Sequence, residues 1–218
     1  MRIWILFLVW LVGCAVPLPV VTKQVATELP LKSDWVAEEK MDLPESYQLD
    51  VPFVPQAPFA NWEVHNDSCE EAGLLLAHYY YTGEYLSKDQ ANVELLDMIA
   101  YQNSNFGGHF DIYTDLIARL AKEYYGYEPR IIEVDIEQIK AEIYAGNPVI
   151  LLTTAAYLKP EKSDYPEMGY HIIDAVGYNQ YGIITHDVGT ITGENTVYSN
   201  HVIMNAIADY DNLAVVLK

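Results

Sequence analysis

The sequence predicts an α+β domain of two lobes, with N-terminal helices packed on a twisted antiparallel β-sheet formed by the C-terminal half. Three observations carry that expectation. Between residues 69 and 144 apolar residues recur at helical spacing, and the runs end near Gly83, Gly126 and Gly146. From Pro148 onward the texture changes to short apolar or β-branched runs, PVILLTT, YHIIDAVGY, GIITHD and LAVVL. At 218 residues and 51% hydrophobic, the chain can bury one ordinary core, which excludes a low-complexity or wholly disordered protein.

Met1-Arg2 precedes ten apolar residues, Ile3 to Val12, and then Gly13-Cys14. One positive charge, a short apolar run and small residues at its end form the layout of an export signal over residues 1–13, too short to span a bilayer as a helix. Leu11-Val12-Gly13-Cys14 resembles the bacterial lipobox. That resemblance implies lipidation of Cys14 and anchoring to the outer face of a bacterial membrane through the N-terminal lipid; a plain secretory signal is the alternative. In either case Cys69 remains as the unpaired thiol of an exported chain with two cysteines, a candidate reactive group. Residues 14–46 carry four Pro, scattered charge and no sustained period, as a tether or arm does. The domain is expected over residues 47–218.

Within it, Leu49 to Gln56 (LDVPFVPQ) reads as extended, because each Pro disfavours helix in the residue before it. Cys69 to Tyr81 is apolar on most faces and stops at Thr82-Gly83, the pattern of a buried helix. Ser87 and Gln90 stand at capping-box spacing before a second helix, Ser87 to Ala100. A third is expected over Asp111 to Tyr125, where Ile112, Leu116, Ile117, Leu120 and Ala121 form one stripe, and a shorter fourth over Asp135 to Tyr144. The run around Tyr178 to Gly182 looks like the turn of a β-hairpin, and Ser199 to Ile207 like a short helix packed on the sheet.

Acidic residues outnumber basic ones 31 to 12, for a net charge of −19. Such a surface repels phosphate backbones, so no nucleic-acid partner is expected. Neither CxxC nor HxxxH spacing supports a metal site built on Cys69 with His65 or His171, so no metal and no cofactor are expected.

The tetrapeptide Ser68-Cys69-Glu70-Glu71 carries the chemistry. Ser68 and Glu71 have capping-box spacing, which puts Cys69 on the first helical position, where the helix dipole favours thiolate over thiol. Two neighbouring acids suggest an exposed thiol, yet they also oppose its ionisation, so a cationic partner is needed. His171, at the start of the strand YHIIDAVGY, is the candidate base. A hairpin turning at 179–181 places His171 near Gly189 and Asp187 one diagonal step away, close enough to orient the imidazole.

VPFVPQ, the helix CEEAGLLLAHYYYTG and the hairpin GYHIIDAVGYNQYGIITHD together resemble the papain-like cysteine peptidases of the bacteriocin-processing type, family thirty-nine, especially their stand-alone exported relatives. The resemblance spans roughly residues 48 to 217. It implies a papain-like fold with Cys69 as nucleophile, His171 as general base and acid, Asp187 as orienter and Gln56 as side-chain donor of the oxyanion hole. A tetrahedral oxyanion independently calls for a neutral donor beside the Cys69 backbone N–H. Where many relatives continue the Cys with Gly-Pro this chain has Glu70-Glu71, and Val188 stands where Pro often follows the Asp. The expected function is a thiol hydrolase, a peptidase or amidase acting on a peptide or amide substrate outside the cytoplasm. The alternative is a catalytically silent papain-like binding module at the cell surface.

Overall fold

The computed structural model describes residues 42–158 and 169–217; the expected export signal, Cys14 and most of the arm lie outside them. Met41–Lys218 forms one compact unit. In chain order its elements are β1 (Tyr47–Gln48), α1 (Trp62–His65), α2 (Cys69–Thr82), α3 (Lys88–Asn105), α4 (Thr114–Leu120), β2 (Arg130–Glu133), α5 (Ile136–Tyr144), β3 (Val149–Thr154), α6 (Ala155–Leu158), β4 (Tyr170–Asn179), β5 (Gly182–Asp187), β6 (Thr196–Tyr198), α7 (Asn200–Ile207) and β7 (Leu213–Val216). The α+β arrangement of helices with an antiparallel sheet is as the sequence predicts.

Helix α2 is the centre of the helical half. It ends because Gly83 adopts a left-handed conformation and turns its N–H back to the Tyr79 carbonyl at 3.0 Å. The capping box expected for α3 is present, with Ser87 and Gln90 each accepting from the other's backbone N–H. That helix runs to Asn105, five residues past the expected Ala100, and Gly107 and Gly108 at positive φ follow it. The third helix starts late, at Thr114, and passes after Leu120 into one π-helical stretch, Ala121–Tyr125, closed by Gly126.

The strands form one antiparallel sheet in the order β2-β7-β3-β4-β5-β6. The long β4 takes β3 along its first half and β1 along its second, while β5 pairs on its other edge. β2 and β6, which the sequence reading did not anticipate, are the two outermost strands. Both are short, and β2 alternates between half-buried and exposed residues, so neither forms a continuous apolar run.

Packing of α2 on β4 depends on Gly73. A Cβ there would lie 2.8 Å from Asp174 Oδ1 and 3.0 Å from Ile172 Cγ2, so any side chain would displace the buried Asp174 and Ile172 side chains. Asp174 itself is fully buried, and neither carboxyl oxygen has a hydrogen-bond partner among the described residues. Burial pushes its pKa well above the carboxylate range. Because the folded-state pKa lies above the unfolded one, this residue's contribution to stability is complete below the unfolded value. It is lost as pH rises through the folded value. Asp174→Asn is therefore expected to reduce the fall in stability between pH 4 and pH 8, measured by urea unfolding. An unchanged pH dependence would refute that assignment.

Candidate active site

Cys69 is the first residue of α2, as expected, but the cap differs. The Ser68 side chain makes no capping hydrogen bond among the described residues; its Oγ lies 3.3 Å from His65 Nδ1. The expectation of an exposed, readily ionised thiol is also corrected. Cys69 is 4% exposed, and both Glu70 and Glu71 are fully buried beside it. Burial, then the Glu70 carboxyl and Glu71, push the Cys69 thiol well above its usual pKa; the Ile172 backbone N–H pulls the other way. A helix start favours thiolate only while water or a cation shares the load, and here the closed environment outweighs the dipole, the two acids adding to it to the extent that they are ionised.

The acids are not surface charges. Glu70 Oε2 accepts the Cys69 thiol hydrogen at 3.2 Å, and Oε1 accepts the Ile112 N–H at 2.6 Å. Glu71 Oε1 accepts from Gln102 Nε2, and its Oε2 lies 3.6 Å from His109 Nε2. Burial raises the pKa of both carboxyls, whereas the hydrogen bond to Glu71 raises that of His109. Glu70 and Glu71 therefore hold the segment after α3 against the start of α2. The residue type at these positions suggested solvent, and nothing local in the sequence signals the distant partners that bury them.

His171 and Asp187 meet as the hairpin geometry predicts. β4 and β5 pair with Ile173 opposite Asp187, so His171, two residues earlier on the same face, is the diagonal neighbour. Its Nε2 lies 2.8 Å from Asp187 Oδ1, with both side chains buried. Asp187 also accepts from Tyr198 Oη on Oδ2 at 2.8 Å and from the Gly189 N–H on Oδ1 at 3.2 Å. Tyr198 comes from the unanticipated β6, so sequence reading had no route to it. The carboxylate is thus pinned from β6 and from its own turn, and it fixes the imidazole orientation.

Gln56 is brought close to both halves. Its backbone N–H donates to the Val188 carbonyl at 2.8 Å, one residue past Asp187. Its Nε2 donates to the carbonyls of His65 at 2.9 Å and Asn66 at 3.0 Å, in the turn just before Cys69. Both amide hydrogens are therefore engaged, and Oε1 is buried with no partner among the described residues. Service as an oxyanion donor, expected from the resemblance, requires one of these bonds to be exchanged. Among the described residues, no group of three or more His, Cys, Asp or Glu is placed to hold a metal ion.

The architecture and the chain can be compared with known proteins. The model of the Peptidase_C39 like family matches residues 48–214. A crystal structure of a Bacillus anthracis protein described as C39-like shares 18% identity with a TM-score of 0.58, covering 80% of this chain and 98% of its own. The peptidase domain of Streptococcus ComA, a bifunctional ABC transporter of a quorum-sensing pathway, shares 18% identity with a TM-score of 0.46, covering 75% of this chain and 95% of its own. No curated protein matches. The match over most of its length, to a model spanning helix α2 and the whole His–Asp hairpin, shows that this chain belongs to the Peptidase_C39 like family, as a cysteine peptidase-like hydrolase.

Proposed function

We propose that the protein is a thiol hydrolase, a peptidase or amidase acting through a Cys69 acyl-enzyme, with His171 as general base and acid and Asp187 as its orienting group. The observation that carries this reading is the buried hydrogen bond between His171 Nε2 and Asp187 Oδ1 at 2.8 Å, on the strand that packs against the helix of Cys69. With Nε2–H donated to Asp187, the imidazole tautomer has its lone pair on Nδ1, which can accept the thiol proton. Sulfur then attacks the scissile carbonyl carbon, and the oxyanion is met by the Cys69 backbone N–H at the helix start. The C–N bond breaks as His171 returns the proton to the leaving amine, and water activated by the same ring cleaves the thioester.

The high thiol pKa fits a resting state in which sulfur keeps its proton until substrate engages. The apolar run before Cys14 supports action outside the cytoplasm, lipid-anchored or secreted.

The test is hydrolysis of a mixed peptide library by the full chain, read by mass spectrometry, against Cys69→Ala. Cleavage by the wild type and loss of at least about a thousandfold in the variant are expected. Undiminished cleavage by the variant refutes the reading. A wild type that cleaves nothing leaves the exported, catalytically silent binding module, whose charge of −19 suits a cationic partner.

A further inference from the structure

Glu70 has no role in the mechanism above, yet it touches the reacting atom. Its carboxyl is fully buried, with one oxygen 3.2 Å from Cys69 Sγ and the other held by the Ile112 N–H at 2.6 Å. Tyr170, the residue before His171, fastens the same loop by donating its hydroxyl to the Ile112 carbonyl at 2.5 Å. Glu70 is thus fixed from two sides and aimed at sulfur. Gln56, the other side chain expected to supply hydrogen-bond donation at this site, has both amide hydrogens on backbone carbonyls.

We propose that Glu70 is a catalytic residue acting as a protonated carboxylic acid, donating its Oε2–H to Cys69 Sγ once the thiol proton has passed to His171. The inference rests on the hydrolase reading and deepens it. Proton balance is closed. The thiol proton resides on His171, the Glu70 proton stays on Oε2 throughout, and the sulfur exchanges its own S–H···O bond for an O–H···S⁻ bond. When the acyl–sulfur bond forms, the sulfur charge disappears and the hydrogen bond weakens, so the stabilisation applies to the thiolate.

A carboxylate in this place would oppose thiolate formation, whereas a carboxylic acid favours it. The groups around Glu70 select the neutral form. On its own helix are Cys69 and Glu71, the latter paired with His109; from β4 comes the Tyr170 hydroxyl; Asp111 precedes the Ile112 that it binds. Burial and the Glu71 charge disfavour a second anion, and among the described residues no Lys or Arg is one of the leading influences on Glu70.

The test is the rate of inactivation of the full chain by iodoacetamide from pH 4 to pH 9, for wild type, Glu70→Gln, Glu70→Ala and His171→Ala. Glu70→Gln retains an N–H donor toward sulfur and an acceptor for Ile112. It is expected to be slowed by less than about tenfold, between wild type and Glu70→Ala, with the acid limb not moved to lower pH, because an amide N–H is a weaker donor to thiolate than a carboxylic acid O–H. Glu70→Ala is expected to slow inactivation by roughly ten- to a hundredfold, as loss of a hydrogen bond to a charged group does, and to move the acid limb to higher pH. A Glu70→Gln variant that reacts faster, or at lower pH, shows a carboxylate in the wild type and overturns the proposal; so does one as slow as Glu70→Ala, or a Glu70→Ala variant that matches wild type. If Glu70→Ala does not fold, as judged by circular dichroism, Glu70→Gln decides by the same criteria. Failure of the hydrolase reading is separate: it appears as a His171→Ala variant that reacts like wild type, whatever the Glu70 variants do.

Discussion

His171→Ala is expected to lower kcat/KM for peptide hydrolysis by roughly 10²–10⁴-fold while leaving the folded structure intact, since general acid–base catalysis contributes on that order. Asp187→Asn should approach the same loss. Its Oδ1 holds His171 Nε2 at 2.8 Å and its Oδ2 is held by Tyr198. An amide in this place can turn N–H toward Nε2, which selects the tautomer protonated on Nδ1 and removes the lone pair that must receive the thiol proton. Where a carboxylate orients a catalytic imidazole, the equivalent change costs about 10⁴ in kcat. The double variant should be little worse than either single one, because the two groups act as a unit. Steady-state kinetics on a cleaved peptide from the library checks all three, and additive losses would show that Asp187 acts independently of the ring.

The second large effect is on folding. Gly193→Ala places a Cβ against the Asp187 carbonyl oxygen and 2.9 Å from Thr190 Oγ1, inside the turn that follows β5. The same turn is closed by the Asp187 N–H donating to the Gly193 carbonyl at 2.9 Å, so the backbone cannot move aside without releasing that bond. Overpacking of this kind costs about 2–3 kcal/mol. For a domain of this size that corresponds to a fall in Tm of roughly 4–12 °C, read by thermal denaturation followed by circular dichroism. Activity should fall with it even at temperatures where the variant is folded, because the displaced turn also carries the Gly189 N–H that holds Asp187. A variant with wild-type Tm would mean that the turn relaxes freely, and the carboxylate is then held by Tyr198 and His171 instead.

Several parts of the site were legible without coordinates because they depend on spacing along one stretch of chain. Cys69 begins a helix because an apolar run follows it and Gly83 stops that run. His171 and Asp187 meet because a hairpin turning near residue 180 imposes its register on everything before and after it, and the observed pairing of Ile173 with Asp187 follows the expected sum of positions. The β-bulge at Ala175/Gly177 shifts pairing only toward the turn and leaves the end that carries His171 and Asp187 in register. The third helix was legible as a stripe but not in its bounds, since periodicity near 3.6 does not separate an α-helix from the π-helical stretch at Ala121–Tyr125.

The charged groups illustrate the opposite case. Glu70 and Glu71 read as solvent-facing acids at a helix start, and nothing near His186 in the sequence marks it as buried. In the fold Glu70 is sealed by Ile112, Glu71 by Gln102 and His109, and His186 donates to the Val51 carbonyl while its Nδ1 accepts from Asn195. Each of these partners is at least nine residues away, and most are over thirty.

From its amino-acid order alone this protein's class, the helix-start position of Cys69 and its His–Asp hairpin can be derived, because local periodicity, glycine stops and strand register act over a few turns or one hairpin. Tertiary structure alone decided that the thiol is buried, that its neighbouring acids are enclosed with it, that Tyr198 pins Asp187 and that Gln56 is engaged by two carbonyls. The reason is physical: ionisation and hydrogen-bond capacity depend on which distant groups displace water from a side chain, and that is settled only when helix α2, the loop before α4 and strands β4 to β6 pack together.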